Sequence, residues 1–258
     1  MIHTFFDQGF DVYTCRARLM PALITILPTI WSLLLILPGD LIVLGVLGTL
    51  LICCGGTALL VQIGRDRGKQ QENRLFARWG GKPTTVLLRH HDNLNPTRLR
   101  RQHRQLQSLM PDLRIPDTSS EQADPIAADE MYEMCVKYLR DHTRDRDKFP
   151  LVFDENCNYG FHRNLWGLKR YAIGLALSST AITGGVLITQ YYGWRSCNIP
   201  LAITLTALNF FLLLLWGFWV TPDRVKNAAY QYAKCLLDTC DQLAEPLKDA
   251  SPIILARS

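Results

Sequence analysis

Apolar positions gather into four long runs instead of spreading through the chain. Leu19–Pro38, Leu41–Gly64, Tyr171–Tyr192 and Ile199–Val220 contain no Asp, Glu, Lys or Arg. A bilayer core of roughly 30 Å needs about 20 helical residues, and each run meets that length. Lipid offers no partner for an open backbone donor or acceptor, so the runs predict transmembrane helices. Short turns, Pro38-Gly39-Asp40 and Gly193–Asn198, join them pairwise into two hairpins. The expected architecture is an all-α integral membrane protein. It reads as a cytoplasmic N-terminus over 1–18, transmembrane hairpins over 19–64 and 171–220, a mainly helical cytoplasmic insert over 65–170, and a cytoplasmic C-terminal helix and tail over 221–258.

The insert carries its own helix signals. Asn95 before Pro96 and Asp124 before Pro125 pair a capping side chain with proline at the first helical position. Leu99, Leu106 and Leu109 follow the first, and Met131, Met134, Cys135, Tyr138 and Leu139 follow the second, at helical spacing. Asp112–Ala123 has loop composition, and Lys148–Phe153 reads as a short strand or extended run, weakened by Pro150. After the fourth run, Thr221-Pro222-Asp223 starts a helix whose stripe Val225, Ala229, Tyr232, Leu236 and Leu243 needs a partner. The insert and another subunit are equal alternatives.

Composition alone would mislead. The 258 residues are 48% hydrophobic with mean hydropathy +0.03, values ordinary for a soluble domain, but the uneven distribution excludes that class. It also excludes disorder and a disulfide-stapled secreted fold. Of 28 Lys and Arg, 20 lie between Arg65 and Arg170, and only Arg195 falls in a hairpin turn. The positive-inside rule then puts both termini and the insert in the cytoplasm. Residues 1–15 hold Asp7 and Asp11 and no basic residue, while Pro21 and Pro28 interrupt the first run; a retained span is expected rather than a signal peptide. Cys197 is the single cysteine expected outside, so no disulfide framework is expected.

Charge within the insert is polarised, +8 over 64–114 and −6 over 115–155. This suggests docking of the two halves, or a basic face on anionic lipid. Arg98, Arg100, Arg101 and Arg104 form the densest basic surface; nucleic acid is a further, disfavoured partner for it. Tyr159, Phe161, Arg163, Trp166, Lys169 and Arg170 mix rings and cations just before the third span. They read as an interfacial anchor, with a coupling hinge through Gly160 and Gly167 as the alternative.

Candidate chemistry is sparse. His90, His91, Asp92 and His103 are the nearest approach to a metal set, but no His-x3-His spacing puts two on one helix face. No Gly-x-Ser-x-Gly elbow, phosphate-binding Gly-x4-Gly-Lys loop or Cys-x2-Cys pair occurs. Asp154 and Glu155 read as a turn or cap. Neither an enzyme nor a cofactor is expected. No span carries a midplane ionisable group, which disfavours coupled transport. Asn209, the eleventh of 22 residues in the fourth run, needs a Ser or Thr from a neighbouring helix or the same Asn of another subunit. Gly45, Thr49, Cys53 and Thr57, and likewise Ala181, Gly185 and Thr189, form small-residue ladders for helix packing, within one bundle or between subunits of a homo-oligomer.

Three stretches, Tyr13-x-Cys-Arg-Ala-Arg-Leu-Met-Pro21, Arg78-Trp-Gly-Gly-Lys-Pro-Thr-Thr-Val-Leu-Leu88 and Tyr159-Gly-Phe-His-Arg-Asn-Leu-Trp-Gly-Leu168, resemble a family of bacterial four-span inner-membrane proteins. The layout of hairpins around a cytosolic region is similar to membrane effectors of anti-phage defence systems. That resemblance implies a soluble cytoplasmic partner that signals and a membrane component that permeabilises or depolarises the inner membrane. A passive transporter or channel and a membrane scaffold are the competing functions.

Overall fold

The computed structural model describes residues 11–36, 42–91, 95–193 and 198–254, without the side chains at 34, 42–47, 49–53 and 245–254. Every regular element among them is helical. Helix α1 runs through Val12–Thr14, a π turn at Cys15–Leu19, and Met20–Ile36. Helix α2 is Ile42–Arg78, α3 Pro83–Leu88, α4 Pro96–Leu109, α5 Thr118–Ala123, α6 Pro125–His142 and α7 Pro150–Tyr191. Helix α8 is Ile199–Leu214 with a closing π turn at Leu215–Trp219, and α9 is Pro222–Ile254. Among the described residues two helices, Pro150–Tyr191 and Ile199–Trp219, are long and apolar enough to cross a membrane. Residues 37–41 and 194–197, with the hairpin turns, Arg195 and Cys197, lie outside the described residues, as does Asp92.

Capping chemistry sets the short helices. Asn95 Oδ1 accepts from the Arg98 N–H at 3.1 Å, and Asp124 Oδ1 from the Ala127 N–H at 3.0 Å, each one residue before its proline. Asp117 does the same for α5, accepting from the Ser120 N–H at 2.8 Å. These bonds hold its carboxyl low, at about 2. Helix α5 therefore replaces the end of the stretch read as loop. A second difference lies at Lys148–Phe153, which is no strand: α7 starts at Pro150, where the missing N–H costs no helical bond. The Phe149 carbonyl accepts from the Phe153 N–H at 3.1 Å. Asp154 and Glu155 are consequently inside that helix, not in a turn.

The chain divides into two compact units, one of residues Met1–Asn73 and Cys157–Val225, the other of Arg74–Asn156 and Lys226–Ser258. Helices α2, α7 and α9 contribute residues to both.

The second unit has an ordinary apolar core. Leu88 of α3, Leu106 and Leu109 of α4, Tyr132, Cys135 and Leu139 of α6, Val152, and Leu236, Leu237 and Cys240 of α9 pack together. The stripe on α9 thus finds its partner in the insert of the same chain. On α6 the buried face is Ala128, Tyr132, Cys135, Val136 and Leu139, while Met134 is 54% exposed. The helical period was legible there, but its phase is rotated, because Tyr132 turns inward to a buried carboxylate described below.

The first unit is organised in the opposite sense. On α7 and α8, Leu177, Ile182, Ile188, Leu201, Ile203, Phe210 and Phe211 are exposed. Ala172, Ala176, Ser179, Thr183, Ala202 and Asn209 are buried. Along these stretches large apolar side chains are exposed and buried positions are mostly small or polar, with Leu165, Leu168, Val186 and Trp216 as buried exceptions. Helices α2 and α7 meet almost backbone to backbone: a Cβ on Gly167 would sit 2.6 Å from the Gly68 nitrogen and 2.9 Å from the Gly64 oxygen. Gly160 is similarly closed in, its added Cβ 2.8 Å from both the Ala17 Cβ and the Tyr13 hydroxyl. Both glycines serve close approach, the role small residues play at helix interfaces.

Candidate functional site

One segment of α7 bonds to α1, α2 and the end of α8 in the first unit. The Tyr159 hydroxyl donates to Glu72 Oε1 on α2 at 2.5 Å, and Arg163 Nη1 donates to Glu72 Oε2 at 3.3 Å. Arg163 also lies over the Tyr159 ring, 5.6 Å from its centroid. Asn164 Nδ2 donates to the Ala17 carbonyl of α1 at 2.6 Å. Lys169 Nζ donates to the carbonyls of Gly217 and Val220 at 3.0 and 2.8 Å, at the end of α8.

The receiving carbonyls explain the side chains that meet them. Ala17 lies inside the π turn of α1, and Gly217 inside that of α8. A π turn disturbs the regular i to i−4 ladder and is frequent at functional sites. Buried backbone acceptors left over from such a turn need another donor. Asn164 supplies it on one side and Lys169 on the other. Phe161 and Trp166 fill the space between, packing with Leu165, Ala172, Trp216 and Val220.

Within the segment expected as an interfacial anchor, Tyr159 and Arg163 are buried and paired with Glu72. Lys169 caps a helix end. Only Arg170 of the basic residues in this segment is exposed. Gly160 and Gly167 are points of close packing.

Deeper in the same unit, Asn209 is fully buried. Its Nδ2 donates to Ser32 Oγ at 3.1 Å, and its Oδ1 accepts from the Trp31 indole N–H. Ser32 in turn donates to the Pro28 carbonyl at 2.7 Å. The partner is a serine of a neighbouring helix, one of the two expected solutions. Thr57 is buried and its hydroxyl meets no partner among the described residues. Gly45, Thr49 and Cys53 lie on α2 where side chains are outside the description. Ala181 is exposed, and a Cβ added at Gly185 would meet nothing within 4 Å among the described residues.

In the second unit the basic surface meets carboxylates of α9. Arg98 Nη2 lies 2.6 and 2.7 Å from the Asp238 oxygens, and Arg101 Nε 3.0 Å from Asp241 Oδ1. Arg100 Nε donates to the Pro96 carbonyl at 3.3 Å, and Arg104 is exposed. The basic stripe is therefore half neutralised by its own chain.

The histidines form a structural cluster around Glu121, a residue that sequence reasoning passed over. Glu121 is 7% exposed, and its two oxygens accept from the His90 N–H at 3.0 and 2.9 Å. Oε2 also accepts from the Tyr132 hydroxyl at 2.7 Å. The His103 ring stands edge-on to His90, with centroids 4.9 Å apart. Its Nε2 lies 2.9 Å from the Leu88 carbonyl. Burial pushes the His103 pKa below its ordinary 6.5, against the Leu88 contact, which pulls it up. Burial and then Glu121 push the Tyr132 hydroxyl up. Burial likewise raises the thiols of Cys135 to about 11 and Cys240 to about 12, leaving both as protonated core residues at neutral pH. No set of three metal-ligating side chains converges among the described residues.

Comparison with protein-family models, with curated proteins and with solved structures finds no match to this chain.

Proposed function

We propose that the chain is a four-span protein of the bacterial inner membrane with both termini and the 65–170 insert in the cytoplasm. In this reading it acts as a membrane effector, closed at rest and permeabilising or depolarising the membrane when a soluble partner engages its cytoplasmic region. The observation that carries the membrane part is the inside-out distribution on α7 and α8, with Leu201, Ile203, Phe210 and Phe211 outward and Ala202 and Asn209 inward. In water such a surface would aggregate; in lipid it is the stable arrangement.

The effector part is supported by the bonding of the first unit. Its buried polar groups, Asn209 with Ser32 and the α7 segment with three helices, join neighbouring helices by few bonds. Around Asn209 and Ser32 the buried groups are neutral, which suits a constriction that conducts only after helices separate and water enters. Covalent continuity through α2, α7 and α9 provides routes by which partner binding at the second unit reaches the first. Defence against phage is the biological setting the resemblance implies, and a homo-oligomer, with the outward Ala181 and Gly185 face as its contact, belongs to the same reading.

A voltage-sensitive dye in cells expressing the complete locus, with and without phage challenge, tests this directly. Loss of membrane potential on challenge is expected. Potential that stays intact through a protective response removes the effector and leaves a membrane scaffold. External thiol labelling of intact cells carrying Ser119→Cys, an exposed position of the insert, above that of the native protein would overturn the topology.

A further inference from the structure

We infer that the end of α8, with the first turn of α9, is a binding site for the phosphate of an anionic lipid headgroup, formed by Arg224 and the ring of Trp219. The inference rests on the membrane reading. The Arg224 guanidinium carbon lies 4.3 Å from the Trp219 ring centroid, and the His162 ring of α7 lies 5.8 Å from the same ring. Neither Arg224 nor its neighbour Asp223 makes an ion pair among the described residues, and both are exposed. Arg224 is thus a cation held in place by stacking, with its hydrogen-bonding edge lacking a carboxylate.

Depth selects the ligand. Ile199–Trp219 is 21 residues long, about 30 Å at about 1.5 Å per residue, so its end falls at the headgroup layer. Phe218 is 79% exposed beside Trp219, an aromatic pair suited to the boundary between acyl chain and headgroup. The ammonium of Lys169 is bound to the Gly217 and Val220 carbonyls. It adds positive charge at the same helix end, and Arg170 next to it is exposed. Guanidinium presents paired donors that match phosphate oxygens, so the preferred class is an anionic phospholipid rather than a zwitterionic one.

The test uses the full chain reconstituted in phosphatidylcholine vesicles containing a minority of phosphatidylglycerol, with bromine on the acyl chains of one lipid or the other. Quenching assigned to Trp219 is the difference between the native protein and Trp219→Phe. Brominated phosphatidylglycerol should be enriched about fivefold at Trp219, the factor corresponding to about 1 kcal/mol for one surface cation. Arg224→Gln should bring that ratio to one while helical content is unchanged, and Arg224→Lys should keep part of it. A ratio of one in the native protein, or an unaltered ratio in Arg224→Gln, overturns the site. Abolition of the ratio by millimolar inorganic phosphate at constant ionic strength would make it a free-phosphate site and overturn the lipid assignment. Failure of the protein to enter vesicles at all would instead sink the membrane reading beneath it.

Discussion

Asn164 on α7 donates its side-chain N–H to the carbonyl of Ala17 at 2.6 Å, inside the π turn of α1. Asn164 is 1% exposed and Ala17 is fully buried, so water cannot replace this donor. Asn164→Leu should leave the carbonyl unsatisfied and cost about 1–3 kcal/mol. Thermal unfolding of the purified protein followed by circular dichroism checks this; an unchanged midpoint would show that the π-turn carbonyl has another donor.

The bond from Asn209 to Ser32 makes a smaller contribution. Interhelical polar contacts in membranes average about 0.6 kcal/mol and reach roughly 1–2. Asn209→Leu and Ser32→Ala should each destabilise within that range. The double variant should lose no more than the larger single loss, which a double-mutant cycle in detergent measures.

At Gly167 the limit is steric. An added Cβ would lie within 3.0 Å of backbone atoms of Gly64 and Gly68, and backbone cannot step aside as a flexible side chain can. Gly167→Ala should cost about 1–3 kcal/mol through helix displacement, whereas Gly185→Ala, with nothing within 4 Å, should leave the isolated chain's melting point almost unchanged.

Glu72 balances Arg163, whose side chain is 10% exposed. Removing the carboxylate alone leaves a buried cation, so Glu72→Leu should destabilise by about 3–5 kcal/mol. Glu72→Leu combined with Arg163→Leu should recover much of that loss. Comparison of the two melting curves decides it; equal losses would show that Arg163 has a second anion.

The lowered pKa of His103 has a defined pH consequence. Its neutral form is preferred in the fold, so the unfolded chain takes up the proton first. Stability is complete above about pH 6.5 and declines as the pH falls below it, toward the lowered folded value. The slope from this group approaches about 1.4 kcal/mol per pH unit at most. Urea unfolding between pH 7 and 5 should show this decline, and His103→Gln should flatten it.

Much of this architecture was present in local sequence. The runs without charge coincide with long helices, and Asn95-Pro96, Asp124-Pro125 and Thr221-Pro222 mark helix starts because capping depends on adjacent residues alone. The need of Asn209 for a hydroxyl partner was also legible, since a central amide in an apolar run has few ways to be satisfied. Tertiary structure decided which hydroxyl, Ser32, and it alone revealed Glu121, whose neighbours His90 and Tyr132 are 31 and 11 residues away in sequence. It also turned Tyr159 and Arg163 inward. Spacing along one helix sets which side chains share a face, but the direction of that face is chosen by the packing of other helices. Here the backbone contact of Gly167 with Gly64 and Gly68, between residues about a hundred positions apart, brings α2 close enough for Glu72 to meet both.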